Sequence, residues 1–179
     1  MIEAAGLVDL AERVRPWAKM DSRLHGPEHW ARVAACGAAL AEAMGLEAGA
    51  RRGVQIFAWT HDLARVTDGN DPEHGLRGAR LFRELAPGLF PRLGERERTW
   101  IEAAIRLHNK GMTAARAVDT GSTGLPHEPR RPLIAFVGCC WDADRLDLLR
   151  LGMMPRPDRM STDHWETVLP RALEAHGYR

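Results

Sequence analysis

Cysteine is scarce in this 179-residue chain, which has only Cys36 and the adjacent pair Cys139 and Cys140. The three thiols show no CxxC spacing and cannot form an even set of disulfides, so we interpret them as small apolar core residues. The first twenty residues lack the apolar run of a signal peptide, and no later run approaches the length of a membrane span. These absences predict a cytoplasmic protein with no membrane partner.

The chain also lacks a large excess of charge of either sign, since its formal net charge at pH 7 is +1. Positive and negative residues are interspersed, and we find no basic patch of the kind that binds duplex nucleic acid. Bulk nucleic acid is therefore excluded as an expected partner, whereas a small phosphorylated molecule such as a nucleotide is not. A homodimer is also compatible with the sequence.

Sustained alternation of apolar and polar residues, the pattern of a half-buried strand, is likewise missing. Apolar residues recur instead at three- and four-residue spacing, and the chain is long enough to bury a core without disulfides. We therefore predict an all-α fold, a compact single-domain bundle of about seven or eight helices. This domain spans 1–179, with the motif-bearing part over about 21–151 and a last helix over about 162–177 that closes the core.

The centre of the predicted bundle is the stretch 54–65, VQIFAWTHDLAR. Apolar residues surround it on every side, which is typical of a helix buried among other helices. We predict this helix over about 48–65. Its periodicity brings His61 and Asp62 into the interior, where a carboxylate needs a compensating cation: a metal ion, an arginine or the histidine itself.

Turn residues and apolar periodicity delimit further helices. We predict one over 3–18 that Pro16 bends, one from Pro27 to a stop at Gly45, one opened by Pro72 and followed by a turn at Pro87-Gly88 and Pro91, and one from about Glu95. His29 lies near the start of the second. His74 and His108 continue the apolar stripes of the last two and are therefore predicted to face the interior.

Between 111 and 132 the periodicity gives way to small, polar and proline residues, which predicts a long loop and a candidate lid. An apolar stripe resumes at Leu133 and continues at helical spacing to Asp144. Of three nearby acids, only Asp144 is then predicted to face inward, and Asp142 and Asp147 are not.

The predicted interior thus holds six residues with metal-binding side chains: His29, His61, Asp62, His74, His108 and Asp144. A single buried histidine is usually a core residue with satisfied hydrogen bonds, but so many in one helical domain favour a common site. Imidazole and carboxylate donors suit Mn²⁺, Fe²⁺, Co²⁺, Ni²⁺ or Zn²⁺, and the lack of cysteine ligands argues against a closed structural zinc site. We predict an open, catalytic site for one or two divalent ions, with Mg²⁺ also a candidate.

Four segments carry most of these residues: His29 lies in HGPEHWARV, His61-Asp62 in AWTHDLAR, His74 in HGLRGARLF and Asp144 in DADRLD. In order, spacing and context they resemble the HD-domain superfamily of metal-dependent phosphohydrolases, over roughly 21–151. The resemblance implies an HD-domain-like fold and one metal ion held by His29, His61, Asp62 and Asp144.

Some members of that superfamily hold a second ion with two more histidines. The resemblance places His74 and His108 where those histidines are expected. The alternative is a site with one ion, in which His74 and His108 line the pocket as acid, base or phosphate contacts.

Three basic residues are candidates for binding substrate phosphate. Arg65 follows the His-Asp pair where several members of the superfamily have Gly-Lys, and it is either a bidentate phosphate clamp or a solvated helix end. Arg32 lies one turn after His29, and Lys110 lies just past His108. The histidines of the last third of the chain are predicted to be surface residues: His127, His164 and His176.

The resemblance implies that a metal-activated water hydrolyses a phosphate ester or anhydride, with a nucleotide or a related small phosphorylated metabolite as substrate. Asp62 is then expected to orient or deprotonate that water, and His74 or His108 to protonate the leaving oxygen. Two other functions remain open. One is a di-iron oxygenase of the HD type, with both histidines as ligands, and the other is a non-catalytic metal-binding regulatory domain.

Overall fold

Eight α-helices make up the fold in the computed structural model, which describes residues 4–178. They are α1 Ala4–Val14, α2 Pro27–Ala43, α3 Ala48–Thr60, α4 His74–Leu89, α5 Glu95–Leu107, α6 Ala114–Asp119, α7 Arg130–Leu146 and α8 Trp165–Ala175. Short 3₁₀ turns follow α1, α5 and α7, and no strand occurs in the described residues. The predicted all-α bundle is confirmed, and residues 1–3 and 179 of the predicted domain lie outside the described part.

Helix α3 is the centre of the bundle, because it packs against α2, α5 and α7. Every residue from Gly53 to Thr60 is buried. The helix ends at Thr60, five residues before its predicted end. Beyond it the amides of Leu63 and Arg65 bond to carbonyls three residues back, which tightens the chain into a turn that contains His61 and Asp62.

The segment 111–132 is not the continuous loop that its composition predicts. It contains α6, whose first turn is capped by Thr113, with the hydroxyl accepting from the amide of Arg116. Ala114 and Ala117 are buried, and α6 packs against α7. Small residues that lack an apolar stripe in the sequence are therefore compatible with close helix packing.

Two predicted helix ends also differ from the structure. Of the turn predicted at Pro87-Gly88 and Pro91, only the part at Pro91 is confirmed, since α4 continues through Pro87 to Leu89 and a turn follows at Pro91. Pro87 is tolerated because only two helical residues follow it, so the backbone hydrogen bond that proline cannot donate is missing only near the end of the helix. The last helix spans Trp165–Ala175 instead of about 162–177, and it packs against α2 and α7.

The core confirms the predicted place of the cysteines. Cys36, Cys139 and Cys140 are all buried and unpaired, and burial raises the pKa of the Cys36 thiol to about 11. None of the helices within residues 4–178 combines the length and the apolar character needed to cross a lipid bilayer.

Candidate metal centre

Five helix ends meet at one end of the bundle and bring the six predicted site residues together. His29 lies in the first turn of α2, His61 and Asp62 directly follow α3, His74 begins α4, His108 directly follows α5, and Asp144 lies in the last turn of α7. The four imidazoles and Asp62 are buried, whereas the side chain of Asp144 is 19% exposed. Solvent therefore reaches this group of residues mainly beside Asp144.

The first donor cluster consists of His29, His61, Asp144 Oδ1 and Asp62 Oδ2. The two histidine Nε2 atoms are 3.1 Å apart. Each lies 3.5 Å from Asp144 Oδ1, and they lie 3.6 and 3.7 Å from Asp62 Oδ2. Four metal-binding atoms thus face one another across a buried space.

The second donor cluster consists of His74, His108 and Asp62 Oδ1. The Nε2 atoms of the two histidines are 2.9 Å apart and lie 3.3 and 3.5 Å from this oxygen. Asp62 therefore belongs to both clusters, with one carboxylate oxygen directed to each. These nitrogen and oxygen atoms could hold metal ions.

Hydrogen bonds on the far side of each ring determine which nitrogen faces the clusters. The Nδ1 atoms of His61 and His108 donate to the carbonyls of Ala58 and Ile105, at 3.0 and 2.7 Å. His74 Nδ1 donates to the carbonyl of Asp71, and His29 Nδ1 donates to the Asp147 carboxylate. Because these oxygens only accept, Nδ1 carries the proton, and in each neutral ring the lone pair of Nε2 points into its cluster.

This arrangement is unfavourable without a cation. When both rings of a pair are neutral, their Nε2 lone pairs, 3.1 and 2.9 Å apart in the two pairs, repel each other, and Asp62 Oδ1 is buried with no hydrogen-bond partner. Arg65 Nη1 is almost equidistant from Nε2 and Nδ1 of His74, at 3.3 and 3.4 Å, and is therefore not aligned with the Nε2 lone pair. The residues present thus fit one divalent ion in each cluster.

The ionisable groups in the clusters are strongly coupled. Burial alone would lower the pKa of His61, but the charges of Asp62 and Asp144 outweigh it and raise this pKa to about 9. Burial, reinforced by His108, lowers the pKa of His74 to about 4. Although burial opposes it, His61 holds the pKa of Asp62 well below its ordinary value. At pH 7 the carboxylates are therefore charged and His61 is protonated, so a metal ion that binds here displaces the proton of His61.

No family model, curated protein or solved structure matches the chain. The chemical interpretation of the site therefore rests on its donor atoms. Four imidazole nitrogens with two carboxylates, and no thiolate among them, favour borderline transition metals over Ca²⁺.

The prediction that only Asp144 of three acids faces inward is wrong. Asp142 is fully buried under the loop that contains Ser161 and Thr162. Its carboxylate accepts from the amides of these two residues, at 2.9 and 2.8 Å. Asp147 is 1% exposed. Of the three acids, Asp144 is the most exposed and also the one that reaches the first donor cluster.

Asp147 and His176 form a layer behind His29 that the sequence did not reveal. Asp147 accepts from His29 Nδ1 at 2.6 Å, from Arg32 Nε at 2.7 Å and from His176 Nε2 at 2.8 Å. The prediction that His176 is a surface residue is wrong, because its side chain is 11% exposed and bonded to a buried carboxylate. The interior position of His29 was the only local signal that a partner lies behind it.

The three basic candidates occupy different environments. Arg65 is buried and not a solvated helix end, with Nη2 donating to the carbonyl of Gly69 at 2.9 Å and Nη1 4.0 Å from Asp62 Oδ1. Arg32 is paired with Asp147, and Lys110 donates to the carbonyl of Pro72 at 2.8 Å. The structure therefore brings only Arg65 of the three next to the two donor clusters.

Proposed function

We propose that this protein is a metal-dependent phosphohydrolase that holds two divalent ions. The observation that carries the proposal is the shared carboxylate of Asp62, which has one oxygen in each histidine pair and no hydrogen bond to Oδ1. His29, His61, Asp62 and Asp144 would hold one ion. His74, His108 and Asp62 would hold the other, so the proposal gives these two histidines the role of ligands.

When bound, such ions supply Lewis acids that make water more acidic and neutralise charge on phosphoryl oxygens. Asp144 lies at the exposed side of the site, where substrate and water enter. Arg65 is positioned by backbone carbonyls with Nη1 directed toward the second cluster, and we assign it to a phosphoryl oxygen of the substrate. Asp62 orients the reacting groups, because it lies between the two clusters.

Charge and the resemblance in sequence together support the proposed substrate class. A buried site with one arginine beside it suits a small phosphate ester or anhydride, and the net charge of +1 does not favour a polymeric nucleic acid. The resemblance to HD-domain phosphohydrolases supports a nucleotide or a related phosphorylated metabolite.

The second donor cluster also favours a second candidate function. Two histidines and a carboxylate oxygen beside the first cluster would complete a di-iron site, which can run oxygenase chemistry. This candidate requires iron and consumes oxygen, whereas the phosphohydrolase releases phosphate without consuming oxygen.

A phosphate-release screen tests the proposed function. The chain is freed of metal and reloaded in turn with Mn²⁺, Fe²⁺, Co²⁺, Ni²⁺, Zn²⁺ or Mg²⁺, then assayed on p-nitrophenyl phosphate and on nucleoside mono-, di- and triphosphates. Asp62→Asn, prepared identically, is the matched control because it keeps the shape of the side chain and removes its charge. We expect metal-dependent phosphate release by the wild type and none above background by the variant.

Three outcomes would contradict phosphate hydrolysis. Equal release by the wild type and Asp62→Asn would assign the activity to a contaminant. Oxygen consumption that needs iron, without phosphate release, would establish the oxygenase. Saturable metal binding with neither activity would establish a regulatory metal-binding domain.

A further inference from the structure

We infer that His176, just after α8, is a positioning residue for the proposed metal ligand His29. It acts through Asp147, whose Oδ1 accepts from His176 Nε2 at 2.8 Å while Oδ2 accepts from His29 Nδ1 at 2.6 Å. Asp147 is 1% exposed and His29 is fully buried, so water does not compete for these bonds. The last helix therefore belongs to the metal centre, although it contributes no ligand.

The four histidines differ in the group that lies behind them. His61, His74 and His108 donate from Nδ1 to backbone carbonyls, whereas His29 donates to a carboxylate. A carboxylate behind a metal-binding imidazole raises its basicity and fixes the orientation of the ring. The ion in the first donor cluster is therefore the more tightly bound of the two.

The orientation of Asp147 depends on the donors to its other oxygen. Oδ1 accepts from Arg32 Nε at 2.7 Å and from His176 Nε2, which approach from α2 and from the end of α8. With His176 replaced by an apolar side chain, one donor to this buried oxygen is lost. The carboxylate is then held only by Arg32, which donates to both oxygens, and by Arg150 at Oδ2, so its orientation is less fixed and its bond to His29 weakens.

Two substitutions at position 176 separate hydrogen bonding from simple packing. His176→Leu keeps a side chain of moderate size but removes the donor, whereas His176→Gln supplies an amide N–H in its place. The exposed His127 provides the matched control, His127→Leu. Neither His127 nor His176 belongs to the hydrophobic core, so the core stays closed in all three variants.

Calorimetric titration of the metal-free full chain with Mn²⁺ gives the affinity of each ion. We expect His176→Leu to lower the affinity for the more tightly bound ion by about tenfold. This is the lower end of the loss seen when a group that orients a metal ligand is removed. The weaker ion keeps its affinity. His176→Gln recovers most of the loss, and His127→Leu matches the wild type.

The inference rests on the proposed metal site and not on phosphate hydrolysis. Wild-type affinity for both ions in His176→Leu would overturn the role of His176 and leave the metal site standing. An equal loss of affinity for both ions would also overturn it, because that result indicates a general loss of structure and not an effect on the cluster that contains His29. Absence of Mn²⁺ binding by the wild type would overturn the site itself.

Discussion

Replacing Asp62 with alanine should abolish the binding of both ions and all metal-dependent phosphate release. Its Oδ1 lies between His74 and His108, and its Oδ2 faces the other histidine pair. Loss of a group that merely orients a ligand costs about 10–100-fold in affinity, so loss of the shared ligand should cost more than about 100-fold. Mn²⁺ titration and a turnover assay on one preparation measure both effects.

Thermal unfolding gives an independent readout of the same prediction. Mn²⁺ at about 100 times the Kd of one ion should stabilise the wild type by about 2.7 kcal/mol. In a chain of this size that corresponds to a rise in Tm of roughly 5–10 °C. Asp62→Ala should show no rise, whereas Asp158→Ala, which removes an exposed carboxylate paired with Arg156, should behave like the wild type. Wild-type affinity in Asp62→Ala would contradict the proposed site.

Replacing His74 with alanine should reduce the metal content from about two ions per chain to about one. This histidine belongs only to the second donor cluster, and the first keeps all of its donors. His108→Ala should lower the metal content in the same way, because its Nε2 faces the same oxygen of Asp62. Elemental analysis of protein purified without chelator and dialysed against Mn²⁺ measures the content.

The same experiment decides between the two roles that the sequence left open for His74 and His108. One ion in the wild type that persists in both variants would contradict the two-ion site. It would also establish the alternative in which these histidines only line the pocket. His127→Ala, at an exposed position, controls for unspecific loss of bound metal.

The sequence predicted the helical fold well where an element has clear boundary residues. Pro27 and Gly45 delimit α2 closely, and α5 begins at Glu95 as predicted. Prediction from the sequence failed where tertiary contacts decide the local structure. α6 is stabilised by burying Ala114 and Ala117 against α7, and small residues of that kind have no recognisable stripe.

The site was predictable as far as helical periodicity reaches. The periodicity selected Asp144, which lies 3.5 Å from His29 and His61. It could not place Asp147, which begins a 3₁₀ turn after α7 and is buried by partners more than a hundred residues earlier in the chain. His176 was missed for the same reason, since its contact with Asp147 depends on how α8 packs against the rest of the bundle.

Anomalous diffraction from crystals soaked in Mn²⁺, recorded above and below the manganese absorption edge, tests the central claim most directly. We predict two manganese peaks that share Asp62. One should lie among His29, His61 and Asp144, and the other between His74 and His108. Absence of any manganese peak within bonding distance of Asp62, in crystals whose manganese content is verified, would contradict the claim that these buried side chains form a metal centre.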